Sequence, residues 1–386
     1  MSVDPNAVIE SARSVAKVFA AEAAEAERLR RPTDAAIAAL VDSGVLRLMV
    51  PEIYGGFEAD LDLYFDVILA LSAGDTSLSW VANFYIEHHW WFCQFPRTFQ
   101  DEVFAAGPVV LAPASLAPNG TAEAVEGGWR LTGRWPWSSG VMHASWVIVG
   151  GLGQAGAERR EARFFALPRA DVEVDDVWFI DGMSGTGSND VVVDGAFVPA
   201  ERAVSMTGMS SGRGLAAEIH QAPLYRTPML PILMLAATVP AIGAAQRGLA
   251  FFRDRLGDRK MANSVALHGD RASSQIRLAR AELALAVAEQ RARAVVAEVM
   301  DRRDQATKLD RARWVAVLAS IVHDCRATLL SISEASGATA HFLGSALQRD
   351  VRDVNTMCAH MVFDLDGALE NYGRMTLGKE PSSLVF

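Results

Sequence analysis

The stretch Trp135-Pro136-Trp137-Ser138-Ser139-Gly140-Val141-Met142-His143-Ala144-Ser145-Trp146 lies between two segments that alternate like β-strands. It combines flat indole rings, hydroxyl groups and a glycine that favours a tight turn. Such a combination is typical of a pocket wall for a planar ligand. The alternative is an ordinary sheet core that is rich in aromatic residues, and this stretch alone does not separate the two. In either case it marks the middle of the chain as β-structure.

The segments next to this stretch also carry the signals of a sheet. Runs rich in β-branched and aromatic residues alternate with Gly, Asp and Pro, which predicts strands. The runs cover 129–134, 147–151, 163–167 and 191–198. We therefore predict an antiparallel middle β domain over residues 107–215.

Helical periodicity is present on both sides of this region. Residues 1–106 have apolar side chains at helical spacing, with Thr33-Asp34 as a helix start and 51–56 as a turn. Residues 216–386 contain long segments rich in Ala, Leu, Arg and Glu, which predict a helical bundle. These segments cover 241–256, 273–300 and 309–335. The fold class is therefore mainly α with a central β domain.

Composition excludes several classes of protein. With 386 residues, of which 51% are hydrophobic, the chain can bury two or three cores and is not disordered. Its net charge of −10 and the lack of a basic block argue against nucleic acid or an anionic membrane surface as a partner. We therefore expect a small-molecule ligand.

Cysteine usage and hydropathy indicate the compartment. Cys93, Cys325 and Cys358 are widely spaced and odd in number, which fits neither a disulfide framework nor a CxxC zinc site. The opening 20 residues lack a continuous apolar core, so we expect no secretory signal. The most apolar stretch, 229–245, contains Pro231 and Pro240 and is predicted to be a buried helix. We expect a cytoplasmic protein without a membrane partner.

Two motifs resemble those of one known superfamily. Val50-Pro51-Glu52-Ile53-Tyr54-Gly55-Gly56 is similar to the "VPxxYGG" turn of the acyl-CoA dehydrogenases. Leu347-Gln348-Arg349-Asp350-Val351-Arg352-Asp353 is similar to their "xQRxxRD" segment before the last helices. The resemblance implies an N-terminal helical domain, a middle β-barrel-like domain and a C-terminal four-helix bundle. It also implies a homotetramer.

The chain departs from the dehydrogenases at the residues they need for catalysis. His360 stands close to their catalytic glutamate, without the following Gly-Thr, and Ser115–Gly120 replaces their "TEPxxGSD" flavin segment. The 137–146 motif, Gly185-Thr186-Gly187-Ser188-Asn189 and His360 instead resemble two-component flavin-dependent monooxygenases. That branch includes phenol, secosteroid-phenol and polyketide hydroxylases.

This second resemblance implies a reaction and its partners. In the family, a separate NAD(P)H:flavin reductase supplies reduced flavin, which reacts with O₂ to form a C4a-hydroperoxide. The outer oxygen then passes to an electron-rich aromatic, in this case a phenolic, substrate. Reduced FMN is the first candidate cofactor and reduced FAD the second.

Ser139 is the candidate acceptor for the flavin N5–H, because a hydroperoxide is protected by a fixed acceptor and by exclusion of water. The resemblance implies the same role, and a Ser-Gly pair that only makes a turn is the alternative. Trp137 would pack on or beside the flavin ring. The predicted flavin contacts are Ser115, Trp137, Ser138, Ser139, Gly140, Thr186 and Ser188.

Histidines are the candidates for proton transfer, since a base that accepts the phenol proton activates the ring. His360, on a predicted helix, is the first candidate for this base, and a structural histidine is the alternative. The resemblance places His88 at the substrate hydroxyl. His89 would point about 100° away on the helix, so the adjacent pair cannot bind one ion. No metal site is predicted.

Three further residues complete the predicted site. Trp80 lies about two helical turns before His88 and is expected either to line the same cavity or to be core. Arg226 either faces the flavin or an anionic substrate group, or is an ordinary exposed arginine. His143 is given a supporting role. The predicted substrate contacts are Trp80, His88, Arg226 and His360.

Some alternatives stay open at this point. Ser184 and Asn355 stand where relatives often have Arg and His, so a flavin or partner contact could differ there. The competing functions are an N- or S-oxygenase with the same flavin chemistry, an acyl-CoA dehydrogenase with a relocated base, and a catalytically silent paralogue.

Overall fold

The computed structural model describes residues 4–154, 160–258 and 267–382, beginning with five helices. Thr33 caps the second of them by accepting from the Ala36 N–H, as its Thr-Asp start signal predicts. Gly55, at φ 86°, ends the short 3₁₀ turn Glu52–Tyr54 of the first motif. The helices are α1 (Pro5–Leu29), α2 (Asp34–Asp42), α3 (Leu61–Ser72), α4 (Thr76–Phe92) and α5 (Arg97–Val103).

A seven-stranded sheet follows these helices. Its strands are β1 (Ala114–Val125), β2 (Gly128–Ser138), β3 (Trp146–Gln154), β4 (Glu161–Pro168), β5 (Glu173–Asp175), β6 (Asn189–Pro199) and β7 (Ala203–Ser205). The strand order is β5-β6-β2-β1-β3-β4-β7, so β5 and β7 form the edges. The middle region is not wholly antiparallel as predicted, because β1 and β3 pair in parallel. The long connection through β2 allows this pairing.

The rest of the chain is helical. It contains α6 (Met206–Ser211), α7 (Leu215–Ile219), α8 (Met229–Asp258), α9 (Ala272–Arg302), α10 (Lys308–Ser336), α11 (Ala346–Cys358) and α12 (Leu365–Thr376). Helix α10 packs against α8, α9, α11 and α12, and is the centre of the predicted bundle. Helices α8 and α10 are long and apolar enough to span a membrane, but the most apolar window of α8 is 94% buried. Such burial is typical of a core helix.

Two hydrophobic cores hold these layers together. The larger core joins the N-terminal helices to the bundle, and the smaller one lies within the sheet around Leu131 and Trp135. Helix α4 packs on α8 and α11, and its residues are almost all buried. It therefore lies where helices and sheet meet, and its side chains can reach a cavity between them.

Candidate active site

Two connected compartments lie between α4, the sheet and the segment after α11. They share the side chains of Trp80, Trp137, Ser139, His360 and Met361. We call the part that extends to His88 and Trp91 the inner compartment, and the part that extends to Thr186 and Ser188 the outer compartment. Four of the predicted site residues, Trp80, Trp137, Ser139 and His360, therefore stand at the junction.

The inner compartment has mostly aromatic and aliphatic walls. Helix α4 contributes one face, on which Trp80, Phe84 and His88 follow at intervals of four residues and Trp91 continues the row. Leu233 of α8 closes another side. The His88 ring packs edge-on against Trp91, with ring centroids 5.6 Å apart. The polar side chains in its wall are few, namely Ser115, Asn119, Ser139, His88 and His360.

A chain of hydrogen bonds lines the outer compartment. The Trp80 Nε1–H donates to Ser139 Oγ at 3.1 Å, and Ser139 Oγ lies 2.8 Å from Ser188 Oγ. Ser188 Oγ is in turn 2.6 Å from Thr186 Oγ1, whose hydroxyl donates to the Met183 carbonyl at 2.8 Å. Three of the five predicted flavin-contact hydroxyls, those of Ser139, Thr186 and Ser188, therefore form one network.

The local backbone explains why Ser139 faces the cavity. Strand β2 pairs with β6 through Trp135 and Ser138, but the register shifts between these two residues. A bulge of this kind redirects side chains at a strand end. Trp137 has a φ of 66°, which is unusual for a bulky residue and marks strain at a site. Its indole is 57% exposed and lines both compartments.

Gly140 fixes the position of Ser139 from the other side. Its N–H donates to the Thr186 carbonyl at 2.8 Å, and its carbonyl accepts the Tyr85 hydroxyl at 2.6 Å. A Cβ at this position would lie 2.5 Å from Tyr85 Oη, so only glycine fits. Gly140 does not line either compartment. Its predicted flavin contact is therefore replaced by a structural role.

The "RD" motif of α11 holds the loop that carries Thr186 and Ser188. Asp353 accepts from the Met183 N–H at 2.6 Å and from the Ser77 hydroxyl at 3.1 Å. Asp353 is 2% exposed, and burial together with nearby acidic groups raises the pKa of its carboxyl. The carboxyl therefore joins α4 and α11 to the start of the glycine loop.

His88 lines the inner compartment with its ring proton fixed on Nδ1. Its Nδ1 lies 2.6 Å from the Ala112 carbonyl, which can only accept, so Nδ1 carries the proton and Nε2 does not. Burial lowers the pKa of His88 to about 3, so the ring stays neutral near pH 7. Its Nε2 is 3.3 Å from Oε2 of Glu87. Burial raises the pKa of Glu87 to about 8.

His360 has the opposite polarity to His88, and its position corrects one prediction. It lies after the end of α11, in extended conformation before the 3₁₀ turn Met361–Phe363, and not on a helix. Its Nδ1 accepts from the Val362 N–H at 3.3 Å, so the neutral ring carries its proton on Nε2. Burial lowers its pKa to about 4. The Nε2 of His360 can therefore donate a hydrogen bond, whereas the Nε2 of His88 can accept one.

Some predicted residues lie away from these compartments or face differently. Ser138 turns towards Ser115, with their Oγ atoms 3.0 Å apart, and only Ser115 lines the inner compartment. Arg226 pairs with Asp304, with Nε and Oδ1 2.6 Å apart, on a separate surface groove. The predicted contact of Arg226 with flavin or substrate is therefore corrected. The chemistry of this cavity rests on other groups.

His143 and His89 have structural roles. His143 Nε2 lies 2.9 Å from Asp34 Oδ1 and 3.0 Å from an Arg31 nitrogen, and so ties the sheet to α2. His89 accepts from the Val110 N–H at 3.1 Å and lines neither compartment. The predicted divergence of His88 and His89 along the helix is confirmed.

Sequence reasoning missed several wall residues. Phe84 and Trp91 lie on the same α4 face as Trp80 and His88, so the i, i+4 spacing already contained this signal. Leu233 and the acidic residue behind the wall, Glu87, have no comparable local signal. Asp353 was part of a quoted motif, but only the fold shows which loop it holds.

Comparison with known proteins assigns the chain to a family. The family described as "Acyl-CoA dehydrogenase, C-terminal domain" matches residues 235–365. A pigment production hydroxylase of Rhodococcus sp. (strain ATCC 21145) is 34% identical, over 98% of each chain. The flavin-dependent monooxygenase oxygenase subunit HsaA of Rhodococcus jostii (strain RHA1) is 32% identical, over 92% of this chain and 94% of that subunit. The chain belongs to the flavin-dependent monooxygenases. It is an oxygenase component.

Solved structures agree with this assignment. The HsaA monooxygenase of M. tuberculosis superposes with a TM-score of 0.93 at 28% identity, over 100% of both chains. XiaF from Streptomyces sp., in complex with FADH2 and glycerol, superposes with a TM-score of 0.91 at 28% identity, over 98% of this chain and 97% of XiaF. The predicted acyl-CoA dehydrogenase-like fold is confirmed, and the oxygenase is flavin-dependent.

The outer compartment has residues that fit a planar flavin ring. Indole rings of Trp137 and Trp178 offer flat apolar surface, and Ser139 offers a hydroxyl next to them. The strained, half-exposed Trp137 is difficult to explain as ordinary core, because its ring contacts the cavity rather than the sheet interior. The donor and acceptor set therefore fits a planar ligand with an N–H at its edge.

Proposed function

We propose that the oxygenase hydroxylates an aromatic, phenolic substrate held in the inner compartment, with reduced flavin in the outer compartment and O₂ as co-substrate. The hydrogen-bond chain that ends at Ser139 carries this proposal. A reduced flavin bound there would activate O₂ and deliver one oxygen atom to the substrate ring. The protein groups described below bind, orient and exclude water.

The polarity of Ser139 follows from the chain of hydroxyls. Each hydroxyl has one proton, and that of Thr186 goes to the Met183 carbonyl. The proton of Ser188 therefore goes to Thr186, and the proton of Ser139 goes to Ser188. Ser139 also accepts from Trp80. One lone pair of Ser139 is left for the cavity, so Ser139 can accept from a flavin N5–H but has no proton to give it.

The two histidines would divide the handling of the substrate hydroxyl. His88 Nε2 is unprotonated and accepts from the phenol, which raises electron density on the ring. His360 Nε2 carries a proton at the junction and donates to an oxygen there. Because burial keeps both rings neutral, neither role needs a charged side chain.

Several finer points belong to the same proposal. Reduced FMN and reduced FAD are both retained as cofactors, supplied by an NAD(P)H:flavin reductase in the cytoplasm. A homotetramer is the expected assembly, and α9 has an exposed apolar row at Ile276, Leu283 and Val287 that could be buried between subunits. Light scattering of the purified protein would measure the number of subunits.

The experiment is anaerobic mixing of the protein with reduced FMN or reduced FAD, followed by exposure to O₂ with absorbance recording. We expect the spectrum of oxidised flavin to return much later than in free solution with the preferred flavin. Addition of a phenol should then give hydroxylated product. Return at the rate of free flavin, for both flavins, would contradict the proposal and favour a silent paralogue.

Two other enzyme functions are compared with this one. An acyl-CoA dehydrogenase needs a carboxylate base, and within the described residues no Asp or Glu lines either compartment. The substrate of an N- or S-oxygenase would react by the same flavin chemistry but needs no hydroxyl that donates a hydrogen bond to His88. Substitution of His88 therefore separates phenol hydroxylation from oxidation of nitrogen or sulfur.

A further inference from the structure

The inner compartment combines hydrogen-bonding groups with an unusual lack of charge. Its polar side chains are Ser115, Asn119, Ser139, His88 and His360. All of them are neutral when each histidine ring carries a single proton. Among residues 4–154, 160–258 and 267–382, no Lys, Arg, Asp or Glu lines this compartment. The remaining walls are indole, phenyl and aliphatic groups.

The histidines do not supply a positive charge near neutral pH. Burial lowers the pKa of His88 to about 3 and that of His360 to about 4, so both are uncharged at pH 7. Each ring also has a hydrogen bond that fixes its neutral tautomer, to Ala112 and Val362 respectively. A carboxylate in this compartment would therefore have no cation to pair with.

The ionisable group immediately behind the wall makes an anion less favourable still. Glu87 is fully buried, and its Oε2 lies 3.3 Å from His88 Nε2. Its other oxygen accepts from the Trp91 indole. A neutral Glu87 leaves an anionic substrate without a charged partner, and a negative Glu87 repels it.

We propose that the oxygenase selects uncharged aromatic substrates, with a hydroxyl as the polar handle, and discriminates against aromatic acids. This inference rests on the proposed function in that it takes the inner compartment as the substrate site. The selection is by desolvation. A neutral phenol gives up little hydration free energy on leaving water, whereas a carboxylate gives up much more and gains no charged partner in the cavity. Arg226, the arginine expected to meet an anionic substrate group, is engaged by Asp304 elsewhere.

Binding of matched ligand pairs to the flavin-free protein tests this directly. The pairs are 4-hydroxyphenylacetate and its methyl ester, and 6-hydroxy-2-naphthoate and its methyl ester. Within each pair the ester loses the charge and gains one methyl group, whose burial accounts for only about fourfold in affinity. Quenching of tryptophan fluorescence reports binding, since Trp80, Trp91 and Trp137 lie in the walls. We expect the ester of each pair to bind about 100-fold more tightly than the acid at pH 7.

A pair of variants shows whether charge is the cause. Met361 is 50% exposed at the junction, so Met361→Arg adds a cation to the cavity without burying it in the core. Met142, 45% exposed and outside both compartments, gives the matched control Met142→Arg. We expect Met361→Arg to reduce the preference for the ester by about tenfold, and Met142→Arg to leave it unchanged. A preference unaltered by Met361→Arg would contradict desolvation as its cause.

Failure of this inference is distinguishable from failure of the proposed function. Equal or tighter binding of an acid in either pair, or no binding of either ester, overturns the selectivity. The oxygen-transfer assay with the same ligands is independent of that result. If esters bind selectively but reduced flavin is oxidised as in free solution, the selectivity stands and the proposed oxygenation fails.

Discussion

The two compartments of one cavity are organised by different forces. Hydroxyls and a carbonyl in a directed chain define the outer compartment, whereas packed aromatic rings and neutral histidines define the inner one. Ser139 and His360 stand where they meet. The difference indicates that the outer compartment fixes where a hydrogen bond is accepted, while the inner compartment favours the entry of uncharged molecules.

Substitution of Ser139 should show the largest difference between the roles of the two compartments. In Ser139→Ala the cavity loses the acceptor for the flavin N–H, while the walls of the inner compartment stay in place. We expect hydroxylated product per reduced flavin to fall by about 100-fold, with H₂O₂ formed instead. Product and H₂O₂ are measured in the same single-turnover reaction.

The control for Ser139 is a serine nearby that is outside the cavity. Ser145 donates to the Leu111 carbonyl from an exposed turn, and Ser145→Ala should keep the product yield. Binding of a neutral phenol to the flavin-free Ser139→Ala protein should stay within about twofold, since Ser139 is one of many wall contacts. If product yield survives in Ser139→Ala, its assignment as the decisive acceptor is wrong.

His88 tests the inner compartment in the same way. In His88→Asn the acceptor for the substrate hydroxyl is lost, so hydroxylation of a phenol should slow by about 100-fold. Oxidation of reduced flavin in the absence of substrate should be unchanged. Rapid-quench measurement of the product gives the rate.

His89 provides the comparison for His88 within the same helix. His89→Asn removes a buried contact with the Val110 N–H, so it should lower the melting temperature more than the rate of hydroxylation. The reverse pattern, with His89 affecting chemistry and His88 only stability, would contradict the assignment. Full activity of His88→Asn would favour oxidation of nitrogen or sulfur.

Thr186 tests whether the outer chain acts as a unit. Thr186→Val keeps the volume but removes the hydroxyl that accepts from Ser188, so Ser188 and then Ser139 can reverse their hydrogen bonds. We expect loss of flavin-derived oxygen as H₂O₂ to rise by about tenfold. Thr186→Ser keeps the hydroxyl and should restore coupling.

A second measurement distinguishes orientation from simple damage at Thr186. The indole N–H of Trp80 donates to Ser139, so its NMR resonance in the flavin-free protein reports the state of that hydroxyl. This resonance should move in Thr186→Val and return in Thr186→Ser. An unmoved resonance together with lost coupling would mean that Thr186 acts in some other way.

Arg226 should have a much smaller effect, because it lies outside both compartments. Its pair with Asp304 is at the surface, where such contacts contribute less than about 1 kcal/mol. Arg226→Ala should therefore change product yield and substrate affinity by less than about twofold. Steady-state assays with a neutral phenol measure both. A large loss of affinity would return Arg226 to the site.

The corrections at Arg226 and His360 show what the sequence could not provide. The motifs predicted the fold, and the resemblance implied that His88, Ser139 and His360 belong to one site, while Trp80 was left open between cavity and core; all four line one compartment. The partner of Arg226 lies 78 positions later, and no local pattern reports such a pairing. The tautomer of His360 depends on where α11 ends, and helix ends are the least certain feature of a sequence.

The smallest expected effect is that of pH on phenol binding, and it follows from the neutral histidines. A histidine in water titrates near 6.5, so binding that needs its lone pair would weaken between pH 7 and pH 5. Burial lowers the pKa of His88 to about 3, so its acceptor persists through this range and is lost only as the pH falls towards that value. Affinity of the flavin-free protein for a neutral phenol should therefore change by less than about twofold between pH 7 and pH 5. Fluorescence titration in matched buffers measures it, with His88→Asn as the control that lacks the imidazole. A midpoint near 6.5 in the parent protein, absent from His88→Asn, would mean that the inner compartment admits enough water to hold a charged histidine. The two compartments would then differ in shape and not in the charge that they exclude.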